Sequence, residues 1–148
     1  MRIIKINENK ENFIDILLIG DESEDMIKKY LDSSNLFALY DNNILTSICA
    51  CLKIDNKTIE IKNIATYPQY QKRGYGSKLL EFIFNRYKNI AKVIILGTGE
   101  NEKTLNFYKK RGFIETHKVK NFFIDNYPNP IYEDGRRLKD MIYLKKYL

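Results

Sequence analysis

A single α/β (α+β) domain is expected for this chain, and three observations predict it. A length of 148 residues suits one domain, able to bury about 70% of the surface that its unfolded form exposes. Its composition, 44% hydrophobic and 30% charged with only 7 Gly and 3 Pro, is globular, and no internal repeat, low-complexity run or linker divides residues 1–148. The apolar spacing changes along the chain between period 2 and period 3.6, so strands and helices interleave.

Arg2–Ile6 alternates as a short strand, and residues 11–19 repeat Phe13, Ile16 and Leu17 at helical spacing. Asp21 with Glu24 three residues on has the form of a capping box, and Met26, Ile27, Tyr30 and Leu31 give the apolar face of the helix that follows. Residues 36–40 and 44–54 flank Asp41-Asn42-Asn43 as the arms of a hairpin, and Asn56-Lys57 turns the chain again. Thr58–Thr66 alternates through Ile59, Glu60, Ile61 and Lys62. Asn63 then sets two polar residues in succession, and a β-bulge there restores the pattern. A helix opens near Gly76, with Leu79, Leu80, Ile83, Phe84 and Tyr87 along one face. Residues 91–96 suit a strand covered on both faces, which residues 97–99 break before a helix over 102–111 that Gly112 ends. Residues 113–119 and 141–144 are the last strands. The stretch FFIDNYPNPIYEDGRRLKD between them is long for a connection.

Several function classes are disfavoured. No apolar run reaches the roughly 20 residues a bilayer crossing needs, and the opening MRIIKINENK turns polar at once, so a cytoplasmic protein with no membrane partner is expected. Cys49 and Cys51 share a strand face and read as buried free thiols. With His117 as the only histidine, a zinc site lacks ligands, so no metal is expected, and His117 reads as a packing or surface residue. The net charge of +6 is weak evidence for a polyanion, because Lys, Ile and Asn are abundant throughout.

The chemistry concentrates at one strand-to-helix junction. Gly74 and Gly76 let backbone approach a ligand closely, and the unpaired amides from Lys72 to Ser77, at the positive end of a helix, suit a diphosphate. Neither the dinucleotide fingerprint GxGxxG nor the phosphate loop GxxxxGK[ST] is met. The run Gln71-Lys72-Arg73-Gly74-Tyr75-Gly76 resembles the Q/R-x-x-G-x-G/A acetyl-CoA motif of the GNAT superfamily of N-acetyltransferases. The likeness extends from Ile59 through NIATYPQYQKRGYGSKLL to NEKTLNFYKKRGF. The C-terminal NYPNPIYEDGRRLKDMIYL also resembles small bacterial GNAT proteins of undefined substrate.

The resemblance implies a central mixed, mostly antiparallel sheet flanked by helices, and the order of elements agrees with it. It implies acetyl-CoA as cosubstrate, its diphosphate held by Gln71, Lys72, Arg73, Gly74, Tyr75, Gly76 and Ser77. The pantetheine arm would pair with the bulged strand at Ile64, Ala65 and Thr66, an exposed edge joined as by an added strand, and Asn101 would contact it. Tyr108 matches the general acid that protonates the departing thiolate. Glu60, eleven residues before Gln71, matches a catalytic glutamate found in several histone-acetylating members; its other reading is a surface charge paired with Lys62. Lys72-Arg73 and Lys109-Lys110-Arg111 read either as cations for the CoA phosphates or as solvated faces. Phe122, Phe123, Tyr127 and Tyr132 read either as an acceptor wall or as core. The function implied is transfer of an acetyl group to a primary amine of a small molecule or peptide. A non-catalytic CoA-binding module and a basic RNA-binding domain are the alternatives, although no RNA-module signature is present. A homodimer is compatible with the sequence.

Overall fold

Alternation along the strand Asn35–Asp41 shows how the two cores arise. Leu36 and Ala38 point to one face of the sheet, Phe37 and Leu39 to the other, and all four are buried. A computed structural model describes all 148 residues. Seven strands form one sheet: β1 (Arg2–Ile6), β2 (Asn35–Asp41), β3 (Ile44–Lys53), β4 (Thr58–Thr66), β5 (Val93–Gly99), β6 (Ile114–Val119) and β9 (Met141–Tyr147). Their order is β1-β2-β3-β4-β5-β9-β6, and a separate small hairpin joins β7 (Tyr132–Glu133) to β8 (Arg136–Arg137). Every neighbouring pair in the large sheet is antiparallel except β4 and β5. This is the mixed, mostly antiparallel sheet expected from the sequence.

Helices cover both faces. Ile16 and Leu17 of α1 (Ile14–Gly20) and Ile27 and Tyr30 of α2 (Glu24–Tyr30) pack on Leu36, Ala38, Ile48 and Ala50. On the opposite face, Leu79, Leu80 and Ile83 of α3 (Tyr75–Tyr87) and Tyr108 of α4 (Glu102–Lys109) pack on Phe37, Leu39, Cys49 and Cys51. Each fully buried Leu or Ile contributes about 1.5–3 kcal/mol of apolar transfer, before chain entropy is subtracted. The two thiols lie 3.7 Å apart, free and buried, as expected, and burial followed by the neighbouring Cys51 pushes the Cys49 thiol up.

Two features shape the site. Ala50 pairs with Asn63 but Cys51 with Ile61, so Lys62 is the extra residue of the anticipated bulge. The bulge swaps faces: Ile59, Ile61 and Ile64 join the α3 side, whereas Ala65 joins the α1 side. In addition, β4 and β5 pair only from Thr58 with Val93 to Ile61 with Leu96. Beyond that register the strands part, because β5 continues on β9 alone and β4 on β3 alone.

The structure corrects several boundaries. The helix expected over 11–19 is a 3-10 turn (Lys10–Phe13) running into α1. Ser23, not Asp21, caps α2: its hydroxyl accepts from the Met26 amide at 3.2 Å, two residues past the expected box. Residues 97–99 continue β5 instead of breaking it, because the missing Cβ atoms of Gly97 and Gly99 make room for Met141, Tyr143 and Leu138. The long 120–140 connection carries α5 (Phe122–Asn126) and the β7–β8 hairpin. His117 is exposed and stacks on Tyr143 at 4.8 Å, the surface role expected of it. No helix is long and apolar enough to cross a membrane.

Candidate functional site

The parting of β4 from β5 opens a cleft, and the start of α3 closes one end of it. Two residues there hold positive φ, Lys72 at 63° and Gly74 at 86°, the latter as N-cap of α3. This curl leaves the amides of Lys72, Arg73, Gly74, Tyr75, Gly76 and Ser77 with no acceptor inside the protein; the first bond of the helix is Lys78 to the Gly74 carbonyl, at 3.1 Å. Consecutive amides at a helix N-terminus form a concave receptor for a multiply charged anion. Gln71 ties the loop to the strand, its Nε2 donating to the Thr66 carbonyl at 3.0 Å. The Tyr75 hydroxyl donates to Asp41 at 2.6 Å and anchors the helix start to the end of β2.

The cleft has a volume of about 560 Å³, ordinary for a small-molecule site. It brings together Ile64, Ala65 and Thr66 of β4, Gln71, Lys72, Gly74, Tyr75, Gly76 and Ser77 of the loop, and Tyr108 of α4. A Cβ on Gly76 would meet only Thr66 Oγ1 at 3.9 Å and Phe107 Cζ at 4.0 Å, so this glycine lies on the open floor of the cleft. Arg73 does not line the cleft and leans over the Tyr70 ring. Asn101 does not line it either. Its Oδ1 caps α4 by accepting from Lys103 and Thr104, and its Nδ2 donates to Asp134 at 3.1 Å.

Tyr108 is 7% exposed, and its hydroxyl makes no hydrogen bond within the protein. Burial holds the phenol well above its ordinary value, the charges of Cys49 and Glu133 adding and that of Arg111 opposing. It therefore stays protonated at neutral pH, a donor without an acceptor. Glu60 lies elsewhere. It accepts from Lys62 at 3.3 Å and lines a cavity with Tyr30, Tyr143 and Phe122, not the cleft that Tyr108 lines.

The sequence reading missed Thr104 and Phe107 as wall residues and left Arg111 open between a cation for the CoA phosphates and a solvated face. They follow from Tyr108 by helical spacing, since positions 104, 107, 108 and 111 share one face. Arg111 donates to the Phe107 carbonyl and to the Ser77 hydroxyl, and its guanidinium covers the Phe107 ring at 3.8 Å. It is thus a fixed cation beside the free amides. Across β4 from the cleft, Phe123, Tyr127 and Tyr132 of the 120–140 segment face the end of α1 over a second cavity of about 440 Å³. Phe122 lines the Glu60 cavity instead.

Residues 32–115 match the model of the acetyltransferase (GNAT) domain. The chain is 31% identical over 146 residues to an uncharacterised N-acetyltransferase, YvbK, of Bacillus subtilis (strain 168), covering 97% of this chain and 94% of that protein. A GNAT family acetyltransferase from Elizabethkingia anophelis, solved with acetyl-CoA bound, matches with a TM-score of 0.94 and 37% identity over 99% of this chain and 97% of its own. A Bacillus subtilis acetyltransferase in complex with CoA matches with a TM-score of 0.89 and 32% identity, over 99% and 98%. The free amides after Gln71, the parted strands and these relatives lead to one conclusion: the chain belongs to the GNAT superfamily of acetyltransferases.

Proposed function

We propose that the protein is an acetyl-CoA:amine N-acetyltransferase acting on a primary amine of a small molecule or peptide. The observation that carries this reading is the row of unoccupied amides from Lys72 to Ser77 at the mouth of a cleft that ends at the unpartnered Tyr108 hydroxyl. Those amides, with Gln71 bracing the loop and Arg73 and Arg111 adding charge, receive the CoA diphosphate. The pantetheine lies along the free edge of β4 at Ile64, Ala65 and Thr66, and the Ile64 amide polarises the thioester carbonyl. Asn101 can reach the pantetheine by exchanging its bond to Asp134. A neutral amine attacks, the tetrahedral oxyanion is stabilised by the β4 backbone, and Tyr108 protonates the thiolate as the C–S bond breaks. Motif spacing offers Glu60 as a base, but it pairs with Lys62 in a neighbouring cavity and reaches the acceptor side only through that lysine.

Thermal denaturation with and without acetyl-CoA tests the binding half. Ligand at about 100 times its dissociation constant adds ~2.7 kcal/mol, so the melting temperature rises. Release of free CoA in a panel of primary amines tests the chemical half. Stabilisation without release from any amine would reduce the protein to a CoA-binding module.

A further inference from the structure

We propose that the acceptor is a di- or polycationic amine seated in the cavity between α1 and the 120–140 segment, and that Glu133 takes the proton from its attacking ammonium. This deepens the reading above and rests on it. Three carboxylates, Asp21, Glu22 and Glu133, line the cavity of about 440 Å³ against a single cation, Lys62, which Glu60 already engages. Asp21 accepts from the hydroxyls of Tyr127 at 2.8 Å and Tyr30 at 3.2 Å and from the Ser23 amide at 3.3 Å, but pairs with no Lys or Arg. Burial, then the charge of Asp21, pushes both phenols up, so they stay neutral donors and leave the carboxylate's charge uncompensated. The rings of Phe123 and Tyr127 wall the same space and can receive a cation on their faces.

A second observation comes from the α4 side. A smaller cavity of about 210 Å³ joins the bulge of β4 to Thr98 and Tyr108, and Glu133 is its one carboxylate. The Tyr108 side chain, 7% exposed and with no hydrogen-bond partner in the protein, borders that cavity, so its hydroxyl is free to meet a ligand there. Glu133 lines both cavities, whereas Glu60 lines neither. Although Glu133 is exposed, partial desolvation raises its carboxyl, the nearby Asn101 amide opposing and the charges of Asp134 and Glu22 adding to the rise. A carboxylate so placed can accept a proton from an alkylammonium more readily than an ordinary surface glutamate. The ammonium gives one proton to Glu133, and its nitrogen lone pair then attacks the thioester carbonyl carbon. As the C–S bond breaks, sulfur takes the Tyr108 proton, and the Tyr108 oxygen recovers the second proton from nitrogen. Glu133 returns its proton to water, leaving the amide and CoA thiol.

The full chain with saturating acetyl-CoA is assayed for CoA release with 1,4-diaminobutane and spermidine against n-butylamine and an uncharged peptide bearing a free N-terminus. We expect kcat/KM for the two polycations to exceed that of n-butylamine by about tenfold or more, the worth of one charged contact. Glu133→Gln should lower kcat on 1,4-diaminobutane by about 10²-fold while keeping the acetyl-CoA melting shift. Glu22→Gln, at an exposed position, should raise KM about threefold with kcat kept. Equal rates for the diamine and n-butylamine, preference for the peptide, or parent-like turnover by Glu133→Gln with the melting shift intact would overturn this proposal alone. Loss of any acetyl-CoA stabilisation in the parent chain would overturn the reading beneath it as well.

Discussion

The two sides of β4 are built by different means. On the α3 side the receptor is backbone: six amides from consecutive residues, curled by positive φ at Lys72 and Gly74 and left without acceptors at the mouth of the cleft. On the α1 side the cavity is lined mostly by side chains, from the end of α1, Lys62 of β4 and the 120–140 segment, with the glycine backbone at 97 and 99 completing one wall. A backbone receptor suits a ligand that never changes, because side-chain substitution leaves its donors in place. A wall of side chains lets the acceptor differ between relatives that share one donor.

Tyr108 belongs to both sides, and replacing it breaks the comparison most severely. Tyr108→Phe keeps the ring that packs edge-on against Phe107 and Phe113, and it removes only the hydroxyl. The expected result is a fall in kcat of about 10²-fold or more with the acetyl-CoA melting shift unchanged. Steady-state CoA release alongside thermal denaturation checks this. Undiminished kcat would remove Tyr108 from the proton path.

Two glycines separate the sides by stability. At Gly20 a Cβ would strike Asn63 Oδ1 and come within 3.2 Å of the Ile64 carbonyl, where α1 meets the bulge. Asn63 cannot yield, since its Nδ2 is held by the Leu17 carbonyl at 2.8 Å and by Tyr30. Gly20→Ala should therefore cost about 1–3 kcal/mol through overpacking, read as a lower denaturation midpoint. Gly76→Val, by contrast, meets only ordinary contacts inside the protein and should melt within a few degrees of the parent. Its side chain rises from the cleft floor into the space proposed for the diphosphate. Titration calorimetry should show acetyl-CoA affinity down about tenfold or more, equivalent to ~1.4 kcal/mol.

This difference in construction also decides what could be read before the structure. The amide loop, the β4 bulge and Tyr108 are local patterns: a motif of six residues, two polar residues in succession, and a fixed spacing along one helix. Each leaves its mark within a dozen positions. Glu133 shares a cavity with Tyr108 only because the 120–140 segment folds back, through its hairpin, toward α4. Nothing near position 133 announces that approach. Asp21 misled for a related reason. Asp followed three residues later by Glu is good capping chemistry, but Ser23 lies nearer the helix, which frees Asp21 to collect two phenols from residues 9 and 106 positions away. The glycines at 97 and 99 read as a break because local propensity cannot register Met141, Tyr143 and Leu138 crossing over them.

Asn101 gives the finest test, because two roles converge on one amide. As N-cap of α4 it uses Oδ1, and as a pantetheine contact it would use Nδ2, now donated to Asp134. Asn101→Ser preserves an acceptor suited to capping and deletes the amide donor, whereas Asn101→Ala deletes both. Asn101→Ala should lose about 1 kcal/mol of stability, a shift of roughly 2–4 °C in a chain of this size, and Asn101→Ser only a few tenths. Both variants should bind acetyl-CoA about threefold more weakly, a loss of ~0.6 kcal/mol set by the missing donor and independent of the cap. If affinity instead follows stability, falling in the alanine variant and not in the serine one, Asn101 acts by holding α4 in place, and the pantetheine is gripped by the edge of β4 alone.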